Sequence, residues 1–244
     1  MDGSKIREKW IQEIQSRHEL SIDEIERSLR YAKDLLDGRE FLSKYDQGVV
    51  VFGSARVKEG SEFYEKAREL GRRLAESGQI VTTGGGPGIM EAASRGAFEA
   101  GGVVLGLNIT LPFEQKLNDY TTDGMEFRYF FARKTILVDS GKIFVYCPGG
   151  IGTLDEFTEL VELLQNDKMP NAPVFLLGSE YWQPLIVLMK HFVNTGMMNQ
   201  RDLELFKVTD DIEEIVATAG KAMARRSHMA QHHHGSHNPS WANI

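Results

Sequence analysis

One run in the second half of the chain combines glycines with a nearby carboxylate. It spans residues 148–156, reads PGGIGTLDE, and follows an apolar stretch that predicts a strand. Glycines let bare backbone N–H groups approach phosphate oxygens closely, and a helix N-terminus favours an anion. A helix that begins at Thr153 would place Glu156 in its first turn, near those amides. The run therefore predicts a phosphate-binding loop beside a carboxylate suited to chemistry, and we interpret Asp155 as an ordinary acid of a helix start.

A second glycine-rich loop, TTGGGPG at residues 82–88, also follows an apolar stretch and precedes a helical pattern. The glycines of one such loop could serve merely to form a tight turn. Two such loops at corresponding strand ends, however, indicate a phosphorylated ligand. The loop at 82–88 is followed by Ile89 where the dinucleotide-binding fingerprint requires its third glycine, and neither loop ends in Gly-Lys-Ser/Thr. NAD binding and ATP hydrolysis are therefore disfavoured.

Two cations and one cysteine remain as candidate chemical groups. Arg133 and Lys134 follow the aromatic stretch 129–131, inside a run at 127–140 that predicts a helix. Cations beside such a hydrophobic stretch either extend to water or serve a site. Cys147 ends a predicted strand, but no histidine pattern accompanies it, so we interpret it as a small buried residue and not as a nucleophile.

The elements that must position these groups alternate along the chain from Gly48 onward. Apolar runs at 49–52, 80–81, 103–107, 143–147 and 174–177 predict strands, and helical patterns at 62–77, 89–100, 153–166 and 182–193 separate them. This order predicts a doubly wound, Rossmann-like α/β fold, a parallel sheet with helices on both faces. Ligands bind such sheets outside the carboxyl ends of the strands, where both glycine loops fall.

The two ends of the chain differ from this central domain of residues 47–226. Residues 1–46 predict a helical extension, with Ser21 and Glu24 spaced as a capping box and an apolar stripe at Ile22, Ile25, Leu29, Ala32 and Leu36. The stripe could cover the main domain or a second subunit, and we favour the covering role. Residues 227–244 predict a disordered His-rich tail, either a native metal-binding tract or, as we favour, a vector-derived remnant.

Composition limits the partners. The chain has 28 basic and 35 acidic residues, a net charge of −7, and no long basic run, so a nucleic-acid partner is not expected. The single cysteine cannot form an intramolecular disulfide, and no apolar run approaches the roughly 20 residues that span a bilayer. The beginning of the chain is polar and lacks a secretory apolar region. We therefore expect a cytoplasmic protein without a membrane partner.

The run at 148–156 matches the P-G-G-x-G-T-x-x-E motif of the Lonely Guy (LOG) family. The chain also resembles this family at 84–92, at 108–115 and at Arg133 with Lys134, so the likeness runs from about Gly48 to Val208. Members are Rossmann-like homodimers that cleave the N-glycosidic bond of cytokinin riboside 5′-monophosphates or AMP to release the base and ribose 5-phosphate. Many have borne an older lysine decarboxylase label.

The resemblance implies roles for particular residues of the nucleotide-binding catalytic domain. Arg133 and Glu156 would form the catalytic pair, and no metal or cofactor would be needed. The substrate, a nucleoside monophosphate, would contact Ser54, Gly85, Met90, Lys134, Gly149, Gly150, Gly152 and Thr153. The protein would be a homodimer or an assembly of dimers. Plant-type members have glycine where this chain has Glu91, a departure that bears on cytokinin specificity more than on the nucleotide site.

The chemistry agrees with this pair. Breaking a ribosyl C–N bond develops positive charge on the sugar and negative charge on the departing base. Glu156 would stabilise the ribosyl cation and orient or deprotonate water, and Arg133 would stabilise the base. Polar residues near the base would come from Asn108, Glu114, Gln115 and Asn118.

Two alternatives remain open. One is a non-catalytic nucleotide-binding protein such as a molybdenum cofactor carrier, which shares the fold and the glycine loops, although Arg133 with Glu156 favours an enzyme. The other is a decarboxylase, which would require a lysine that forms a Schiff base with pyridoxal phosphate and the larger domains of such enzymes.

Overall fold

The computed structural model describes residues 11–14, 18, 20–111 and 116–232, with side chains to residue 222. Seven parallel strands form one sheet: β1 (Gly48–Phe52), β2 (Val81–Thr83), β3 (Val104–Ile109), β4 (Asp123–Phe127), β5 (Gly141–Tyr146), β6 (Val174–Leu177) and β7 (Lys207–Thr209). Their order across the sheet is β4-β3-β2-β1-β5-β6-β7. Strands β2 to β4 follow β1 on one side of the sheet, and β5 to β7 follow it on the other, so the strand order reverses between β1 and β5. Ligands bind at this position in such sheets.

Seven longer helices accompany the described part of the sheet: α1 (Ile22–Leu42), α2 (Glu62–Glu76), α3 (Ile89–Glu99), α4 (Phe130–Ser140), α5 (Ile151–Gln165), α6 (Ser179–Asn194) and α7 (Ile212–His232). They bury two apolar layers, one on each face of the sheet. The first contains side chains of α4, α5 and α6, such as Ile136, Phe157 and Trp182. The second contains side chains of α2, α3 and α7, so the predicted doubly wound fold is confirmed.

The central strands are apolar on both faces because helices cover both sides of the sheet. In β1, Val50 and Phe52 face the first layer and Val49 and Val51 face the second, and all four are buried. Such continuous apolar runs are typical of buried parallel strands. This is why β1, β3, β5 and β6 are recognisable from sequence.

The structure corrects two helix starts. The helix predicted at 127–140 is wrong at its beginning, because Asp123–Phe127 pairs with β3 as an edge strand and α4 begins at Phe130. The helix predicted from Thr153 begins at Ile151, with Gly150 in an extended conformation as its N-cap. Glu156 consequently lies in the second turn of α5 and not in the first.

Helix α1 covers the main domain by packing on α4. The capping box of Ser21 and Glu24 is present. A Cβ atom on Gly38 would lie only 2.5 Å from the side chain of Ile136, which shows how closely the two helices approach. Of the predicted stripe only Ile25 is buried, whereas Ile22 and Leu36 are exposed, because the covered face of α1 turns to Gly38 and Phe41.

The two chain ends are described in part. Helix α7 continues to His232, so the first residues of the predicted disordered tail have a helical backbone. The remainder of that tail and the beginning of the N-terminal extension lie outside the described residues, as do Glu114 and Gln115. No described helix is long and apolar enough to cross a membrane.

Candidate active site

A cavity of about 590 Å³ opens at the carboxyl edge of the sheet, above β1, β3 and β5. The glycine loop before α5, the loops after β1 and β3 and the first turns of α4 and α5 line it, and Met90 of α3 contributes as well. The sequence-predicted residues that line it are Ser54, Met90, Arg133, Lys134, Gly150, Gly152, Thr153 and Glu156. Ligands are expected at this position in an α/β sheet.

The glycines at the start of α5 differ in what surrounds them. A Cβ atom on Gly149 would lie 2.1 Å from Thr153 Oγ1, so Gly149 is needed for close packing inside the loop. Cβ atoms on Gly150 or Gly152 would meet no described atom within 4 Å, and both residues line the cavity. Protein packing therefore does not require glycine at these two positions. A ligand that closely approaches the backbone would require it.

Arg133 lies at the base of the cavity and is 7% exposed. Its Nε–H donates to the carbonyl oxygen of Leu107 in β3, 2.7 Å away, which fixes the guanidinium. A side chain on Gly84 would place Cβ 2.0 Å from Nη2 of Arg133, so the glycine loop at 82–88 leaves the space that this arginine occupies. Burial lowers the pKa of Arg133, and the nearby Glu156 opposes that shift.

Glu156 faces Arg133 across the cavity floor, with 3.5 Å between Oε1 and Nη1. Its side chain is 15% exposed. Burial raises the pKa of Glu156 to about 7, because the loss of hydration outweighs the attraction of Arg133. The carbonyl oxygen of Glu156 accepts a hydrogen bond from the buried Tyr146 hydroxyl, 3.1 Å away, which holds this turn of α5 against β5. A carboxylate that titrates near neutrality can act as a base.

Lys134 lies at the edge of the cavity and is paired with α5. Its Nζ is 3.0 Å from a carboxylate oxygen of Asp155 and 2.9 Å from one of Glu159. Burial lowers the pKa of Lys134, but the hydrogen bonds to Glu159 and Asp155 outweigh that effect and raise it overall. Asp155 is therefore more than an ordinary helix-start acid, since it lines the cavity and holds Lys134 in place.

Sequence reasoning missed several lining residues. Arg56, in the loop after β1, is the cation of the lining whose side chain has no hydrogen bond or ion pair within the described residues. Its backbone N–H donates to Ser54 Oγ, 3.0 Å away. A single residue outside a motif cannot be assigned to a site from sequence alone. The position of Arg56 shortly after Gly53, at the end of β1, could nevertheless have suggested a site cation. The apolar wall, also missed, consists of Ile109, Leu111, Phe130 and Ile151.

Other candidates lie outside the lining. Gly85 has φ +68° and packs behind the cavity, where its Cβ would meet Leu117 at 2.4 Å. Asn108 is fully buried and its Oδ1 accepts from the Ile109 N–H, and Asn118 Nδ2 donates to the carbonyl oxygen of Gly86. Glu91 accepts a hydrogen bond from the Tyr64 hydroxyl at 2.9 Å and does not line the cavity.

Cys147 is 1% exposed, and burial raises the pKa of its thiol to about 12, which agrees with its interpretation as a buried small residue. Within the described ranges, no group of three or more His, Cys, Asp or Glu side chains is arranged to hold a metal ion.

The sequence of the chain is similar to a known protein family and to individual proteins of known name. Residues 90–219 match the protein family described as "Possible lysine decarboxylase". The chain is 27% identical over 175 residues to a cytokinin riboside 5′-monophosphate phosphoribohydrolase of Rhodococcoides fascians, covering 70% of this chain and 88% of that protein. It is also 27% identical over 180 residues to a probable enzyme of the same name in Oryza sativa subsp. japonica, covering 72% and 77%.

A solved structure is similar as well. The molybdenum cofactor carrier protein of Chlamydomonas reinhardtii is 28% identical to this chain, with a TM-score of 0.53. The likeness covers 74% of this chain and 99% of that one. The chain is thus similar in sequence to proteins named as hydrolases and in structure to one named as a carrier.

Proposed function

The chain belongs to the Lonely Guy (LOG) family, and from that premise we propose that it hydrolyses the N-glycosidic bond of a nucleoside 5′-monophosphate. The products are a free base and ribose 5-phosphate, and AMP and cytokinin riboside monophosphates are the candidate substrates. The observation that supports this best is the facing pair of Arg133 and Glu156 beside the open glycines of α5.

The 5′-phosphate is bound at the N-terminus of α5. Gly150 and Gly152 expose their backbone there without any packing requirement, and the helix dipole favours an anion. Thr153 is buried next to Gly149 and supports the loop from behind. The sugar then extends over the floor of the cavity, where the carboxylate of Glu156 lies.

Cleavage separates charge between sugar and base. The ionised Glu156 stabilises the ribosyl cation and orients or deprotonates the attacking water. Arg133 stabilises negative charge on the departing base, and its hydrogen bond to Leu107 keeps it positioned before the reaction begins. Lys134, tied to Asp155 and Glu159, serves mainly to hold the outer part of the site.

The test is to incubate the protein with AMP and related monophosphates and to measure free base and ribose 5-phosphate. Glu156→Gln keeps the shape and removes the charge, so it should abolish turnover while AMP still binds. Arg133→Ala should lower kcat by at least roughly 10²-fold, the scale expected for one preorganised electrostatic group. Near-normal turnover in Glu156→Gln would show that the mechanism is wrong.

A carrier function is the second candidate, because the similar carrier structure is covered almost completely by this chain. A carrier would bind its ligand and return it unchanged. Prolonged incubation of AMP with concentrated protein separates the two candidates: a carrier leaves all AMP intact, whereas an enzyme releases base in proportion to protein concentration.

A further inference from the structure

A second cavity, of about 450 Å³, lies at the same edge of the sheet on the α2 side. Its floor is formed by the carboxyl ends of β5 and β6, where Cys147 and Leu177 are both buried. Pro148 lines this second cavity and Gly150 lines the first, so one loop separates the two. The second cavity therefore occupies a position where α/β sheets bind ligands, apart from the residues placed in the reaction.

The walls of the second cavity are aromatic. Phe63 at the start of α2 and Tyr181 in the first turn of α6 meet edge to face, with ring centroids 5.9 Å apart. Both rings are partly exposed, at 38% and 41%. An apolar floor with two partly exposed rings suits a flat, apolar ligand body.

The charges of the lining distinguish between ligand classes. Lys66 is paired with Asp210 at 3.0 Å, and Asp210 also accepts a hydrogen bond from the backbone N–H of Ser179 at the start of α6. Glu62 and Glu180 have no hydrogen bond or ion pair within the described part of the chain. Three carboxylates against one ammonium leave the lining with a net charge of −2. An anion would face two uncompensated carboxylates, whereas a cation would pair with them and with the aromatic faces.

Tyr181 connects the second cavity to the proposed phosphate loop. Its hydroxyl donates to the carbonyl oxygen of Gly149, 2.7 Å away, while its ring forms part of the cavity wall. The next residue, Trp182, donates from Nε1 to the carbonyl oxygen of Tyr146 at 3.2 Å. The first turn of α6 is thus bonded to both sides of Pro148, so a ligand that moves Tyr181 also acts on the loop.

We propose that the second cavity binds a small organic cation with a flat apolar body, and that Tyr181 transmits its occupancy to the phosphate loop. The ring of the ligand packs against the wall that Phe63 and Tyr181 form, and its charged group lies near Glu62 and Glu180. The coupling runs through the hydrogen bond from Tyr181 to Gly149.

Binding can be tested with three probes of equal size: benzylammonium, benzyl alcohol and benzoate. Ligand-observed NMR and calorimetry on the full chain should show benzylammonium binding at one site, more tightly than the alcohol, with benzoate weakest. The double variant Glu62→Gln/Glu180→Gln should weaken benzylammonium binding by about tenfold, since each exposed pair is worth a few-fold. Glu40→Gln, an exposed carboxylate on α1 remote from both cavities, is the matched control and should change nothing. Equal binding of benzoate, or an unchanged affinity in the double variant, would overturn the proposed site.

Coupling has a readout that does not depend on nucleotide hydrolysis. Benzylammonium should shift the backbone amide resonances of Gly149 and Gly150 in the unmodified protein. Tyr181→Phe keeps the ring and removes the hydroxyl, so it should preserve binding but lose those shifts. An equal shift in Tyr181→Phe, or none in the unmodified protein, would overturn the coupling. Because no nucleotide is present, the result stands apart from the success or failure of the proposed hydrolase function.

Discussion

The protonation of Glu156 should govern how activity depends on pH. Its pKa is raised to about 7 by burial, and in the proposed mechanism the ionised form stabilises the ribosyl cation. We therefore expect kcat/KM for AMP to fall by about tenfold per pH unit on the acid side of pH 7 and to level off above it. The phosphate of AMP titrates near pH 6, so the pH dependence of AMP binding to Glu156→Gln isolates that second contribution. An acid limb near pH 4.5 would contradict the assignment.

The same shift predicts a change in stability with pH. An acid whose pKa is higher in the folded chain binds its proton more tightly there, so folding is favoured at low pH and loses stability as pH rises from 4.5 to about 7. Glu156→Gln has no proton to lose at this position. Relative to that variant, the unmodified protein should lose about 3 kcal/mol over this interval in chemical denaturation. A constant difference would show that Glu156 titrates normally.

Arg56 should contribute to phosphate recognition. It lines the cavity near the glycines of α5 and, within the described residues, its side chain has no hydrogen bond or ion pair. Arg56→Ala should weaken AMP binding by roughly tenfold and leave adenosine binding almost unchanged, because a charge-assisted contact is worth about 1.5–3 kcal/mol. Calorimetry with both ligands measures this, and Arg39→Ala on α1 is a control cation far from the cavity. An equal loss for AMP and adenosine would exclude a phosphate contact.

At the scale of elements, Gly152, the second residue of α5, should affect ligand binding without being needed for stability. Gly152→Ala should leave stability unchanged or raise it by up to about 1 kcal/mol, because alanine favours a helix and its Cβ meets no described atom within 4 Å. The same Cβ would project towards the proposed phosphate site, so AMP affinity should fall by at least roughly tenfold, the scale of losing one hydrogen bond to a charged group.

Gly220→Ala is the matched control, because Gly220 lies in α7 and its Cβ also meets no described atom within 4 Å. It should raise stability in the same way and leave AMP affinity unchanged. Normal AMP affinity in Gly152→Ala would contradict the proposed binding of the phosphate at this helix terminus.

The elements also show where sequence patterns succeed. The strands β1, β3, β5 and β6 are buried on both faces and therefore appear as apolar runs. Strand β4 was not recognised because it is an edge strand with Asp123 and Glu126 in place of such a run. Strand β7 was missed because it is a three-residue edge strand in which only Thr209 is buried. Helix starts were misplaced because a glycine cap such as Gly150 leaves no polar capping side chain in the sequence.

For the whole molecule, we expect a dimer whose interface lies next to the active-site cavity. Ile151 and Phe130 at the edge of the cavity are 82% and 57% exposed in the single chain, and exposed apolar groups that cluster mark interfaces. Light scattering should give twice the chain mass of 27.5 kDa, or an assembly of such dimers. Ile151→Glu should shift the equilibrium towards monomer, whereas Leu36→Glu on the exposed face of α1 should not. A monomer at micromolar concentration would contradict this expectation.

The site as a whole was only partly predictable. The motif at 148–156 and the pair Arg133 and Lys134 could be recognised along the chain, and the family resemblance added two further lining residues, Ser54 and Met90. Which glycines face the cavity could not be predicted, because Gly149 and Gly150 differ only in the three-dimensional neighbours that a Cβ would meet. The partnership of Lys134 with Asp155 and Glu159 likewise depends on how α4 packs beside α5.

The pairing of β1 with β5 determines when the site can exist during synthesis. Val49 pairs with Ile143, so the two central strands come from distant parts of the chain. Arg133 and the β1 loop precede β5, whereas Glu156 and the glycines of α5 follow it. A growing polypeptide on the ribosome therefore cannot complete the active-site cavity until α5 has emerged from the exit tunnel. The slow step of site assembly should be this long-range closure, as expected for parallel sheets with contacts between distant segments.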